Sequence, residues 1–339
     1  MISTESQLEE ILSRPRDGDK TAMAEMDGDL LILGIGGKMG PSLARLAVRA
    51  AQEADVRRRV IGVARFSEAG IQKELSDAGV ETIAADLLDA KKLAGLPNAK
   101  NVIFMAGRKF GSTGAESLTW AMNVLLPAMV AERYRDSRIV AFSSGNIYPF
   151  VPVVSGGATE QTPVGPVGEY ALTVLGRERI FEYFSGLYGT PVTLLRLNYA
   201  IDLRYGVLLD IGQKVYDRQP VDVKMGAANV IWQGDANSVC LRSFALANSP
   251  PAVLNLTGPE TVSVRWIAKR FGEHFGVEPA LEGTESENAL LNNAARCHRI
   301  FGYPSVSVEQ MIEWTAEWIR TGGATLNKPT HFEARDGKF

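Results

Sequence analysis

With 339 residues, 45% of them hydrophobic, the chain is long enough to bury a sizeable core, as one large α/β domain with a smaller appendage. A net charge of −3 and a pI near 5.8 supply no basic field for nucleic acid or an anionic membrane, so the expected partner is a small molecule. No run approaches about eighteen apolar residues, and an N-terminus with Glu5, Glu9 and Glu10 is too acidic for a signal peptide. A cytoplasmic protein is expected, with Cys240 and Cys297 as reduced thiols. His274, His298 and His331 lack ligand spacing, so no metal is expected.

In chain order, Ser3 through Leu12 reads as a short capped helix with Leu8, Ile11 and Leu12 on one face, and Arg16 to Gly28 as a polar lead-in. Asp29-Leu30-Leu31-Ile32-Leu33 is an apolar run with the pattern of a buried parallel strand, and it leads into Gly34-Ile35-Gly36-Gly37-Lys38-Met39-Gly40. Glycines there let the backbone turn tightly and approach a ligand where a Cβ would clash. Beyond Gly40, Leu43, Leu46, Ala47 and Ala50 recur at helical spacing, so the loop lies between a strand and a helix N-terminus. Free N–H groups and the positive end of the helix dipole make that a place for a phosphate. The spacing is G-x-x-G-x-x-G rather than the G-x-G-x-x-G of the ordinary dinucleotide fold.

Val60 to Ala64 is the expected second strand, and Arg57, Arg58 and Arg59 before it are expected on a solvated face. In such sheets a carboxylate ending the second strand accepts hydrogen bonds from the adenosine ribose. Here Ala64 leaves space for a 2′-phosphate and Arg65 can pair with it, which points to NADP, with NAD as the alternative. Lys38 either adds positive charge near the phosphates or stands as an exposed first-turn lysine.

Gly79 to Leu87 reads as the third strand, Asn101 to Gly107 as the fourth, and a helix from about Glu116 to Tyr134 carries Asn123. Arg138 to Phe142 is the fifth strand, running into Ser143-Ser144-Gly145-Asn146-Ile147-Tyr148, and Leu194 to Ala200 is the sixth. This alternation implies a doubly wound parallel sheet of Rossmann type with ligands at the carboxyl ends of its strands. Residues 1–28 form an N-terminal helix and lead-in, and 29–200 the dinucleotide-binding domain. Residues 201–322 form mainly a smaller substrate-side α/β module, and 323–339 a polar, loosely held tail. In the module, Asp235 reads as a structural cap rather than a catalytic group.

These motifs, in this order over about residues 29 to 322, resemble the extended short-chain dehydrogenase/reductase family, which contains nucleotide-sugar epimerases and dehydratases. The likeness rests on the glycine loop, Asp86-Leu87, Ala106-Gly107, Asn123 and the Ser-Ser-x-x-x-Tyr stretch from Ser143 to Tyr148. It continues with Glu160, Pro163 and Pro166 ahead of Tyr170, and with Leu254 to Gly258. It implies a cofactor site formed by Gly34, Gly37, Lys38, Met39, Gly40, Arg65, Asp86, Leu87, Ala106, Gly107, Tyr170 and Asn198. It also implies a catalytic set of Ser144, Tyr170 and Asn123, and a homodimer paired through the helices carrying Asn123 and Tyr170. Leu172, Leu175, Ile180, Phe181, Tyr183 and Phe184 give the second of those helices more apolar surface than one core-facing stripe requires.

The family places a lysine four residues after its tyrosine, to lower the tyrosine's pKa and bond the nicotinamide ribose. Here that position is Val174. A tyrosine near its ordinary pKa of about 10 is only about 0.1% ionised at pH 7, so it is a poor base but already in the form that donates a proton. Arg177, on the same helix face two turns along, and Arg108 and Lys109, after the fourth strand, are candidates to supply charge, though each is expected at the surface. Gly145-Asn146 replaces the acidic pair that family dehydratases carry after the serine, which disfavours sugar dehydration. The expected function is an NAD(P)-dependent oxidoreductase or epimerase-type enzyme acting on a small sugar-like substrate. Its rival is a catalytically impaired nucleotide-binding protein serving as redox sensor or scaffold.

Overall fold

The computed structural model describes residues 2–67, 70–109, 111 and 114–337. Its centre is a parallel sheet whose inner strands are buried on both faces, which is why they read as continuous apolar runs rather than alternating ones. The first five strands are β1 (Leu30–Leu33), β2 (Val60–Ala64), β3 (Glu81–Ala84), β4 (Asn101–Phe104) and β5 (Arg138–Ser144). A sixth (Val192–Leu197) and a seventh (Ala252–Leu256) extend the sheet, in the spatial order seventh, sixth, β5, β4, β1, β2, β3. The order reverses between β1 and β4, and Leu30 pairs with both Val60 and Asn101 across that switch. The carboxyl ends at this reversal form the crevice where such sheets bind ligands.

Helix α1 (Glu5–Leu12) begins at Thr4, whose hydroxyl accepts from the Gln7 N–H. Residues 17–25 form a second helix, α2 (Asp17–Glu25), which corrects the expectation of a polar lead-in. Tertiary contacts outweigh its weak local pattern. Asp19 is fully buried, accepting from the Ser238 hydroxyl at 2.5 Å and the Arg16 N–H at 2.9 Å, and Met23 is buried in the core. Arg58 is likewise not simply solvated; its guanidinium donates to the carbonyls of Met23, Met26 and Gly28 at the end of α2.

Helix α3 (Gly40–Glu53) buries Leu43, Leu46, Ala47 and Ala50 against one face of the sheet, with Leu30, Ile32, Ile103 and Val140. After α4 (Ile71–Asp77) and α5 (Ala90–Ala94), the expected Asn123 helix is divided into α6 (Glu116–Trp120), a π-helical stretch from Ala121 to Leu125, and α7 (Leu126–Arg133). Helix α7 and the long α8 (Gly168–Tyr188) cover the opposite face, where Leu126, Val130 and Phe181 pack on Leu33, Phe104 and Ile139.

The remaining helices are α9 (Val207–Tyr216), α10 (Gln233–Arg242), α11 (Val264–Phe275), α12 (Ala295–Phe301) and α13 (Val308–Arg320). Ile211, Phe271, Ile312 and Trp318 build a separate core beyond the carboxyl ends of the strands, joined by Leu8 and Leu12 of α1. The seventh strand returns from this region to the edge of the main sheet beside the sixth. The described part of the tail is docked rather than loosely held. Leu326 N–H donates to Arg204, Thr330 bonds Asp210 through both its N–H and its hydroxyl, and Phe332 is buried. Among the described residues no helix is long and apolar enough to cross a membrane.

Candidate functional site

The glycine loop closes on itself through Gly37 N–H to Gly34 O at 3.2 Å and Gly40 N–H to Gly37 O at 3.1 Å. Two of its glycines are sterically obligatory. Gly34 has φ +94°, and a Cβ there would lie 2.6 Å from the Ala106 nitrogen; a Cβ at Gly40 would strike the Ile35 carbonyl. The exposed Gly36 and Gly37 form one end of a cavity of about 650 Å³ that runs past Lys38 and Met39 to Ser144 and Tyr170. It crosses the sheet at the carboxyl end, over the switch point.

At the far end, the Ser144 hydroxyl hydrogen-bonds the Tyr170 phenol, and Asn146 fixes Ser144 by accepting from its Oγ at 2.9 Å while donating its own N–H to it. Burial pushes the Tyr170 phenol above its ordinary pKa; the Arg177 charge and the Ser144 hydrogen bond act in the opposite direction. Asn123 is fully buried behind the cavity wall. Its Oδ1 accepts from the Arg108 N–H and Arg177 Nη2, and its Nδ2 donates to the Arg108 carbonyl and the Thr173 hydroxyl. With both donors and both lone pairs engaged, this side chain positions its neighbours and is not turned toward a reacting group. The π-helical stretch that carries it displaces one turn of the helix, a device frequent at functional sites.

Arg177 corrects the expectation of a surface cation. It is 6% exposed, lines the cavity, and donates through Nη1 to the Phe142 carbonyl at 2.8 Å and through Nη2 to Asn123 at 2.8 Å. Arg108 and Lys109 are half-buried rather than free at the surface, and both line the cavity. The Lys109 ammonium lies 6.0 Å from the Tyr170 ring centre and 3.5 Å from the Thr330 carbonyl, with burial pulling its pKa down to about 8.

Lys38 reaches across the cavity instead of standing in solvent. Its ammonium donates to the Ala200 carbonyl at 2.6 Å and sits 4.3 Å above the Tyr205 ring, and desolvation lowers its pKa to about 7. Asn198, at the end of the sixth strand, is 2% exposed and lines the same cavity; its Nδ2 has no hydrogen-bond partner among the described residues. Tyr199 next to it holds φ +42°, a strained conformation for an aromatic residue. Sequence reasoning missed Tyr205, Arg204 and the tail residues Leu326, Lys328 and Thr330, all of which line the cavity. They come from turns and a tail without motif or periodicity.

At the other side of the glycine loop, Ala64 ends β2 close to Gly36, and Arg65 is exposed. Asp86 follows β3, half-buried, with one carboxylate oxygen accepting from the Leu88 N–H at 3.0 Å; Leu87 is buried in the core below. Ala106 abuts Gly34, and Gly107 lies on the cavity wall. Asp235 accepts from Ser305 and Val306 and pairs with Arg16, so it ties a distant loop to α10 and lies outside the cavity lining. Among the described residues no group of three histidine, cysteine, aspartate or glutamate side chains is placed to hold a metal ion.

A steric cradle for a phosphate and an orphaned buried amide at the opposite end both fit a dinucleotide lying along the cavity. The model of the NAD dependent epimerase/dehydratase family matches residues 30–200. No curated protein matches the sequence. Solved structures of similar fold include Pal from Bacillus thuringiensis, 18% identical with a TM-score of 0.71, covering 86% of this chain and 99% of that one. UDP-glucose 4-epimerase from Thermotoga maritima, solved with UDP-glucose, is 16% identical with a TM-score of 0.69, covering 87% and 99%. The dTDP-glucose 4,6-dehydratase DesIV from Streptomyces venezuelae, solved with NAD, is 19% identical with a TM-score of 0.71, covering 86% and 97%.

Proposed function

Since the chain belongs to the NAD dependent epimerase/dehydratase family, we propose that it is an NAD(P)-dependent oxidoreductase or epimerase-type enzyme acting on a small, polyhydroxylated, sugar-like substrate. The observation that carries this reading is the hydrogen-bonded Ser144–Tyr170 pair at one end of a cavity whose other end is the glycine cradle. The nicotinamide group, when bound, supplies or accepts the hydride. Gly34, Gly37, Met39 and Gly40 would hold the pyrophosphate, Asp86 and Leu87 the adenine side, and Ala106, Gly107 and Asn198 the nicotinamide half. Ser144 would hold the substrate oxygen and Tyr170 would pass the proton. A buried, neutral phenol favours the direction in which the protein donates that proton, which is carbonyl reduction. Gly145 and Asn146 offer no carboxylate beside Ser144, so dehydration of the sugar is disfavoured. Absorbance of reduced nicotinamide, followed across a panel of sugars, sugar acids and their nucleotide conjugates, tests the reading. Substrate-dependent oxidation supports it. Nucleotide binding without turnover on any of them would instead favour the sensor or scaffold, which Val174 at the motif position motivates.

NADP is the cofactor we favour. The missing acid at Ala64 and the exposed guanidinium of Arg65 leave a 2′-phosphate both unrepelled and pairable. Charge-assisted hydrogen bonds contribute about 1.5–3 kcal/mol each. Arg65→Ala should therefore weaken NADP(H) about ten- to a hundredfold with NAD(H) little changed, and Ala64→Asp should shift preference toward NAD(H). Calorimetric titration of each protein with each nucleotide checks this, and tighter wild-type binding of NAD(H) would contradict it.

A homodimer paired through α6, α7 and α8 is the assembly we favour. Leu125, in the π-helical stretch between α6 and α7, and Leu172, Tyr183 and Leu187 on α8 are 55%, 45%, 64% and 53% exposed, more apolar surface than scattered single residues account for. Light scattering at micromolar concentration should give twice the chain mass of 36.8 kDa, and a monomer mass would count against the pairing.

A further inference from the structure

The motif position one turn after Tyr170 carries no cation, because Val174 is fully buried there beside Ile147, Tyr148 and Ala158. Two turns after Tyr170 on the same helix face, the Arg177 guanidinium is buried on the wall of the same cavity. Arg177 Nη1 and Nη2 are tied to the Phe142 carbonyl and to Asn123, while its Nε is buried with no hydrogen-bond partner among the described residues. No salt bridge among the described residues involves it; the adjacent carboxylate, Glu178, is engaged by Arg196 and Ser143 instead. The space for this group is made by Gly107, where a Cβ would lie 2.5 Å from Arg177 Nη2 and 3.1 Å from Asn123 Oδ1. Arginine stays charged on burial, so the site holds a permanent positive charge beside the phenol.

We propose that Arg177 takes over the work of the missing motif lysine, its guanidinium orienting Asn123 and the wall beside Tyr170 and stabilising the negative charge left on the phenol when its proton goes to the substrate. This rests on the reading of Tyr170 as proton donor. In the reducing direction the Tyr170 O–H bond breaks, the new O–H bond forms on the substrate oxygen, and the electron pair stays on the phenol oxygen; the hydride comes from the bound reduced nicotinamide. The groups facing the phenol are Arg177, Ser144, Lys109 and Tyr205. Burial raises the pKa of Tyr170, and Arg177 and Ser144 offset part of that rise. Because Arg177 acts through Tyr170, it is a positioning residue and not a catalytic one.

The experiment is a stopped-flow pH jump that reads phenolate absorbance, with Tyr170→Phe subtracted, on nucleotide-saturated wild type, Arg177→Met, Arg177→Lys, Lys109→Met and Val174→Lys/Arg177→Met. This titration needs no substrate, so it decides the role of Arg177 even where no panel compound turns over; nucleotide binding and turnover are scored separately. The expected result is a Tyr170 midpoint raised by at least one pH unit in Arg177→Met but not in Lys109→Met. Turnover of Arg177→Met should fall about tenfold or more with KM little changed, and both properties should recover in Val174→Lys/Arg177→Met, which restores the family's own arrangement. Arg177→Lys keeps a charge and donors and decides the matter should Arg177→Met not fold: a midpoint near that of wild type supports the assignment. An unmoved midpoint in folded Arg177→Met, or a midpoint that follows Lys109 and not Arg177, overturns it.

Discussion

Replacing Tyr170 by phenylalanine should lower turnover by about 10²–10⁴-fold, the usual contribution of a positioned general acid, while nucleotide affinity stays within a few-fold of wild type. The reason is geometric. The phenol lies at the inner end of the cavity beside Ser144 and Arg177, whereas the glycine cradle lies at the other end. The substitution removes a single oxygen from a half-buried ring, so the fold should survive, which the melting temperature checks. Rates are compared at saturating nucleotide and below pH 8, where a phenol raised above its ordinary pKa is neutral and able to donate. Turnover retained in Tyr170→Phe would remove Tyr170 from the chemistry.

The largest stability effect is expected one layer deeper. Glu178 is fully buried on α8, and both its oxygens are bonded by Arg196, through Nε at 3.0 Å and Nη2 at 2.8 Å, while Ser143 donates to it at 2.5 Å. Arg196 Nη1 donates to the Tyr148 hydroxyl at 2.6 Å, and Tyr148 donates to Asn255 on the seventh strand. This chain of bonds ties α8, β5 and the sixth and seventh strands together beneath Ser144. Glu178→Ala would leave the Arg196 charge buried without its counterion, at a cost of about 3–5 kcal/mol. Thermal unfolding should shift down by roughly 4–7 °C. Glu178→Met/Arg196→Met, which removes both charges, should lose markedly less than the single variant. Equal losses in the two would mean that packing, not the stranded charge, sets the cost.

How much of this was legible in the sequence depended on whether a feature is local. β2 was readable to the residue and β1 to within one, because strands buried on both faces are apolar throughout, and the glycine loop was readable because its glycines stand directly between a strand and a helix. Ser144 and Tyr170 were singled out by motif, and both line the cavity. The failures are all tertiary. Helix α2 forms because Asp19 meets Ser238 across 219 residues of sequence, and the tail docks because Thr330 meets Asp210. Helical periodicity put Arg177 on the face of Tyr170, but its burial depends on the empty space at Gly107, seventy residues earlier in the chain. A missing motif lysine, a cation two turns on and a glycine opposite were the only signals, and they become informative only once the sheet has brought them together.

Hydride and proton transfer at the Tyr170 end of a dinucleotide cavity is tested most directly by supplying nicotinamide nucleotide deuterated at C4, with a carbonyl sugar from the panel, and following the label by mass spectrometry. Deuterium is expected on the carbon of the reduced carbonyl in wild-type product, with loss of this transfer in Tyr170→Phe. Nucleotide that binds in the cavity but keeps its label throughout the panel, in wild type as in Tyr170→Phe, would contradict it.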